Sequence, residues 1–213
     1  FEKQVRDSMI YADRKRKKTI AMAVDALRSC GMSRFHIEVG HADFFRSLAE
    51  QMSMPEDEVE QMRACIEGKN YALLNDLLEP YKGQDAYAAL KRLPYLFGGV
   101  EVLDEAEELA GSCDSLEYLR QLYSELAAAG YGALVRFDLG LVHQIDYYTG
   151  VVFRGYVEGV GSPVLSGGRY DHLVERFGRP AEATGFAVDV DAVGSCLSAS
   201  VPKLEIVVHY EQG

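Results

Sequence analysis

The chain has 213 residues, with 22 basic against 33 acidic side chains and a formal net charge of -11. At 48% hydrophobic and 26% charged, it has the composition of a folded globular protein, long enough for one core with an inserted subdomain. The acidic balance disfavours broad charge-driven nucleic-acid binding. No long uncharged apolar run marks a membrane span, and the first seven residues do not read as a signal peptide.

The chain opens at Phe1 rather than Met, so the natural N-terminus is expected to be missing or processed. Arg14-Lys15-Arg16-Lys17-Lys18 is the one dense basic run; it reads as a solvated first turn or junction ahead of a nucleic-acid contact. Cys30, Cys65, Cys113 and Cys196 lie far apart with no CxxC pair, which suits reduced structural thiols. His36 and His41 are the closest histidines, at a spacing poor for metal binding.

In chain order, residues 17–30 predict a helix, with Ile20, Val24 and Leu27 on one face and Gly31 as its stop. Phe35, Ile37 and Val39 alternate with His36 and Glu38, which predicts a half-buried strand ended by Gly40. From about residue 43 the texture becomes helical. Ser53-Met54-Pro55-Glu56 reads as a capping box with Pro at the first helical position. Helices are predicted near 56–67, 70–79, 85–92, 102–110 and 115–129, the last led by Asp114 or Ser115 and stopped by Gly130. Val59, Met62 and Ile66 form one apolar stripe, and Leu116, Leu119, Leu122 and Tyr123 another.

After Gly132, strands are predicted over Ala133–Asp138, Gly150–Glu158, Pro163–Ser166, Thr184–Val190 and Leu204–Tyr210, with a short helix over Tyr170–Phe177 closed by Gly178. This order predicts an α+β fold with a largely antiparallel sheet. Three divisions are expected: a first core part over 1–42, a helical insertion over 43–130, and the second part of the core over 131–213.

Three segments carry possible chemistry. In Asp138 to Gly150, Asp146 followed by Tyr147 and Tyr148 offers a carboxylate and two phenols at the entrance to a strand. On a strand Asp146 and Tyr148 share one face; such a set could hold an ammonium or an imidazole, or be a structural tyrosine pair with a turn-capping Asp. Ser166-Gly167-Gly168-Arg169-Tyr170-Asp171 offers two glycines where a backbone can approach a ligand closely, or, read as preceding a helix, free N–H groups for an anion. It lacks the spacing of a Walker loop. Ala183 to Asp191 reads alone as a buried strand with acidic punctuation.

Together, in this order, the three resemble the second half of the catalytic core of histidyl-tRNA synthetases, a class II synthetase fold. The family's L-V-R-G-L-D-Y-Y-T stands as Leu141-Val142-His143-Gln144-Ile145-Asp146-Tyr147-Tyr148-Thr149, and its [AS]-G-G-R-Y-D as Ser166 to Asp171. The closing G-F-A-x-G-x-E-R aligns with Gly185 to Ala192. The resemblance covers about residues 11–195. It implies a class II antiparallel sheet with flanking helices, and a histidine site at Asp146, Tyr147, Tyr148, Gly167, Gly168, Arg169, Tyr170 and Gly185.

The departures matter. His143 replaces the signature arginine, Ala192 the closing arginine, and Asp189 a glycine beside the nucleotide. Arginine is a bidentate, always-charged phosphate partner, and acyl-adenylate formation needs such cations. A core so altered resembles the regulatory subunits of ATP phosphoribosyltransferase. That resemblance implies a non-catalytic cytoplasmic protein without cofactor or metal, partnered by a short-form catalytic subunit in a hetero-oligomer, itself a homodimer, with histidine as regulatory ligand. The other implied readings are a histidine–tRNA ligase or a synthetase-like paralogue of other function. The family's dimerisation motif and arginine-bearing second motif are not found here, so the first part of the core is expected to be missing; nor is an anticodon-binding domain read in Val201–Gly213.

Overall fold

The computed structural model describes residues 18–142, 148–172, 178 and 181–197. His143–Tyr147, most of the basic run, the second half of the helix predicted from Tyr170 and the strand predicted over Leu204–Tyr210 lie outside the described residues.

The first helix, α1 (residues 18–29), turns its Ile20, Val24 and Leu27 into the core. Strand β1 (Phe35–His41) follows. Its alternation works as expected, with Ile37 and Val39 fully buried and His36 and Glu38 on the other face. The strand runs one residue past Gly40. Its last residue, His41, then caps the next helix, with Nδ1 accepting the Asp43 N–H. That helix, α2 (Ala42–Gln51), buries Phe44, Phe45, Leu48 and Ala49 and had no separate signal in the sequence reading.

Five further helices follow: α3 (Glu56–Glu67), α4 (Tyr71–Leu78), α5 (Tyr87–Arg92), α6 (Glu101–Ala110) and α7 (Asp114–Ala128). They match the predicted spans closely. The expected capping box does not form. Pro55 is the N-cap of α3 and makes no side-chain cap bond, while Ser53 sits at φ 50. Ser53 instead ends α2, its N–H bonding Glu50 O at 3.0 Å while Met54 N–H reaches Ala49 O at 3.4 Å. This is a Schellman ending. Lys69 (φ 56) ends α3 in the same way, through Lys69 N–H to Ile66 O and Asn70 N–H to Cys65 O. α1 and α7 end on the glycines the sequence pointed to, Gly31 and Gly130, with the same bond pair.

A two-residue strand, β2 (Phe97–Gly98), interrupts the helical block. Then come β3 (Val135–Asp138), β4 (Val151–Val157), β5 (Leu165–Arg169) and β6 (Thr184–Val188), followed by the short helix α8 (Val190–Cys196). The six strands make one sheet in the order β2-β3-β1-β4-β5-β6. Among the described residues only β1 and β3 run parallel, joined by the whole helical block; the other pairs are antiparallel. A parallel pair needs such a long crossover. This is an α+β fold with a mixed, mainly antiparallel sheet. Ile37, Val39, Val135, Phe137 and Phe153 from the sheet share one buried cluster with Phe44, Leu48, Met62, Leu90, Leu103 and Leu119 from the helices.

Candidate binding face

Strand register sorts the sheet into an apolar face and a polar face. On the apolar face, Val39 lies opposite Phe153, Phe153 opposite Gly167, and Gly167 opposite Phe186. A Cβ on Gly167 would strike Phe186 Cβ at 2.6 Å and the Phe153 ring at 2.7 Å. Glycine is required here so that two phenylalanines can close over the strand.

The polar face is built from the alternate positions. One row runs Gly40, Val152, Gly168, Gly185; the next runs Arg136, Glu38, Arg154, Ser166, Ala187. Beyond them His36 lies opposite Tyr156. The Gly168 and Gly185 positions form a floor for aromatic rings. A Cβ on Gly168 would meet the Tyr148 ring at 2.5 and 2.6 Å, and one on Gly185 would meet the Tyr170 hydroxyl at 2.7 Å. Two tyrosines from separate loops therefore each reach one glycine of a register pair, Tyr148 by its ring and Tyr170 by its hydroxyl. Of the two readings of Gly167-Gly168, free N–H groups ahead of a helix gives way to close approach: both sit inside β5, laddered to β4 and β6. Their service is close approach to rings, on opposite faces. The predicted strand Pro163–Ser166 thus stops short of the observed end of β5 at Arg169, because glycines at 167 and 168 read as a break.

The loop ends around this floor are tied together. Thr149 N–H bonds Arg169 O at 2.8 Å, and Asp171 N–H donates to Thr149 Oγ1 at 3.1 Å. Tyr170 N–H bonds Ala183 O at 2.9 Å, and Ala183 N–H returns to Asp171 Oδ1 at 3.1 Å. Arg169 donates through Nε to Asp171 at 2.5 Å and through Nη2 to Glu182 at 3.0 Å. The guanidinium is thus engaged by two carboxylates that fix the Tyr170 turn. Tyr148, Gly167, Gly168, Arg169, Tyr170 and Gly185 are brought to one end of the sheet, with Gly167 facing the core; Asp146 and Tyr147 fall outside the described residues.

Sequence reasoning missed the rest of the face. Glu38 is mostly covered and its Oε1 lies 3.2 Å from His36 Nε2. Asp138, at the end of β3, accepts the Gly140 N–H at 2.9 Å. Burial, then the nearby Glu38 carboxylate, pushes Asp138 up to about 6. Burial and then Glu38 also raise the Tyr156 phenol. The available signal was alternation: residues opposite in phase to Ile37 and Val39 had to share a face, but only the register could say with what. At the far edge, Asp189 Oδ1 accepts the Ala192 N–H at 2.9 Å and so caps α8. The two departures from the closing motif therefore form one helix cap. Among the described residues no group of three His, Cys, Asp or Glu could hold a metal, and no helix is long and apolar enough to cross a membrane.

Comparison with known proteins gives a consistent picture. A family model described as histidyl-tRNA synthetase matches residues 14–193. A curated ATP phosphoribosyltransferase regulatory subunit of Clostridium kluyveri is 42% identical over 182 residues, covering 83% of this chain and 46% of that protein. The chain spans about half the length of the curated relatives it matches. A crystal structure of an ATP phosphoribosyltransferase regulatory subunit/histidyl-tRNA synthetase from Bacillus halodurans superposes with TM-score 0.79 at 33% identity, covering 87% of this chain and 50% of that one. An ATP phosphoribosyl transferase complex (HisG:HisZ) from Thermotoga maritima superposes with TM-score 0.65 over 83% of this chain and 61% of that one; at 20% identity the likeness is one of fold.

Proposed function

We propose that this chain, which belongs to the histidyl-tRNA synthetase family, is part of a non-catalytic regulatory subunit of ATP phosphoribosyltransferase. In this reading it binds histidine on the polar face and activates and regulates a short-form catalytic subunit in the first step of histidine biosynthesis, in the cytoplasm. The observation that carries it is the pairing of Tyr148 with Gly168 and Tyr170 with Gly185 on one face, alongside His143 and Ala192 where the synthetases have arginines. The amino-acid floor is kept while the cations for adenylate chemistry are replaced.

Each residue then has a part. Tyr148 and Tyr170 offer phenol hydroxyls to a small zwitterion, with Asp146 and Tyr147 of the same motif as further contributors. Gly168 and Gly185 give the rings room, Gly167 lets the strand lie flat on Phe153 and Phe186, and Arg169 positions Tyr170 through Asp171 and Glu182. Inhibition by histidine then requires that it bind one of two states of the complex more tightly.

The test mixes the full-length protein with a short-form ATP phosphoribosyltransferase catalytic subunit. Activity that appears, and is lowered by histidine, supports the reading. Robust histidine-dependent ATP–pyrophosphate exchange by the protein alone would sink it and favour a ligase.

A further inference from the structure

The polar face has a second feature at its opposite end. Along β1, His36 is four residues from Gly40, about 13 Å at ~3.3 Å per residue. There a groove of about 660 Å3 is lined by Arg34, His36, Phe97, Arg136, Tyr156 and Glu158, among others. It lies at the β2–β3 side of the sheet, whereas Asp189 and Ala192 stand beyond β6 at the other edge.

Three properties distinguish this groove. First, it is cationic in a chain whose net charge is -11. Arg136 donates through Nη1 to Val135 O at 2.8 Å and Ala133 O at 3.4 Å, and no described carboxylate pairs with it. Those carbonyl bonds fix the guanidinium while leaving its remaining donors unspent. Arg34 shares one donor with Glu158 at 3.0 Å, on a backbone pair that extends the β1–β4 ladder. Second, it carries an open aromatic surface. Phe97 is 51% exposed and faces the same side as Asp138, its register partner. Third, its wall is held in place, since His36 and Tyr156 stack at 5.6 Å with planes 15° apart.

We propose that this groove binds a small phosphate ester with a planar ring, of the nucleoside diphosphate class. Guanidinium forks match phosphate oxygens two at a time, so the diphosphate rests on Arg34 and Arg136. The ring lies on the exposed side of Phe97. The volume suits a ligand of this size. The proposal does not depend on what the tyrosine floor binds, or on which subunit this chain partners.

The test is calorimetric titration of the full-length protein at low salt with ADP, inorganic pyrophosphate and adenosine. ADP is expected to bind more tightly than either fragment. Arg136→Ala weakens ADP and pyrophosphate alike, by about tenfold or more, as for loss of a charge-assisted bond. Phe97→Ala weakens ADP and leaves pyrophosphate within about twofold, since only the ring contact is lost. Glu158→Gln tightens both anions by removing the competing carboxylate from Arg34. If Arg136→Ala does not fold, Arg136→Lys carries the same test, keeping the charge and losing the fork. Three results overturn the proposal: no ADP binding at millimolar concentration, ADP binding unchanged in both the Arg136 and Phe97 variants, or pyrophosphate binding as tightly as ADP. The last would mean that the two guanidiniums hold a bare polyphosphate and that Phe97 carries no ring.

Discussion

Asp138 is the most informative single position for the energetics of the face. Its carboxyl sits at the end of β3 with its titration raised from 3.8 to about 6, first by burial and then by Glu38, against the Gly140 N–H, Arg154 and Lys69. The folded state therefore holds a proton that the unfolded chain releases near pH 4. Between about pH 4 and 6 the folded state binds more protons, so stability falls as pH rises, and the full penalty is present above about 6. At about 1.4 kcal/mol per tenfold, that penalty amounts to about 3 kcal/mol at most. Asp138→Asn removes the ionisation while keeping an oxygen for the Gly140 N–H and turning an amide donor toward Glu38. The variant should be about 2–3 kcal/mol more stable than the parent at pH 7.5 and no more stable at pH 4. At about 2–4 °C per kcal/mol for a domain of this size, the melting temperature at pH 7.5 should rise by about 4–12 °C. Urea unfolding of both proteins across pH 4–8 measures the difference. A gap that does not change with pH, or a variant less stable at pH 7.5, would refute the burial argument.

Other positions test the floor and the helix ends. Gly168→Ala places a methyl 2.8 Å from Val151 O, which cannot move without breaking the ladder, so unfolding should be easier by about 1–3 kcal/mol. Gly185→Ala meets only the Tyr170 hydroxyl, the far end of a rotatable side chain; stability should fall less than in Gly168→Ala, and an equal loss by thermal melts would contradict the difference. Lys69→Gly and Ser53→Gly relieve left-handed backbone at the two Schellman endings that lack glycine and should each add about 0.5–1 kcal/mol in urea unfolding. The Lys69 change is best measured in an Asp138→Asn background, where the lost cation no longer matters to Asp138. Tyr148→Phe should weaken histidine binding by about 1 kcal/mol, a hydrogen bond's worth, in calorimetry; an unchanged affinity would move the pocket away from the glycine floor.

Much of the fold was legible because hydrophobic period and glycine stops are local signals. The spans of α3, α6 and α7, the alternation of β1, and the endings at Gly31 and Gly130 follow from residues within a few positions of one another. The same logic failed where a residue did the work of glycine. Ser53 resembles an N-cap by composition, yet its backbone completes the helix before it, and Lys69 gives no composition signal at all. Whether a helix end closes by Schellman bonds depends on what the following chain must reach, and that is a tertiary constraint.

The site divides along the same line. Tyr148, Gly168, Tyr170 and Gly185 were found because their motifs are contiguous, yet their relation, each tyrosine against one glycine of a pair, is a product of register between β5 and β6. Gly167 shows the limit most clearly. It adjoins Gly168 in sequence, and a glycine pair in text invites one shared purpose. A strand sends the two to opposite faces, one to admit Tyr148 and the other to let Phe153 and Phe186 close. Glu38, Asp138 and Arg154 carry much of the face's charge, with the Tyr156 phenol beside them, yet they come from three strands, each read singly. Their meeting required the parallel pairing of β1 with β3 across the entire helical block, and no local pattern encodes which strand a strand will join.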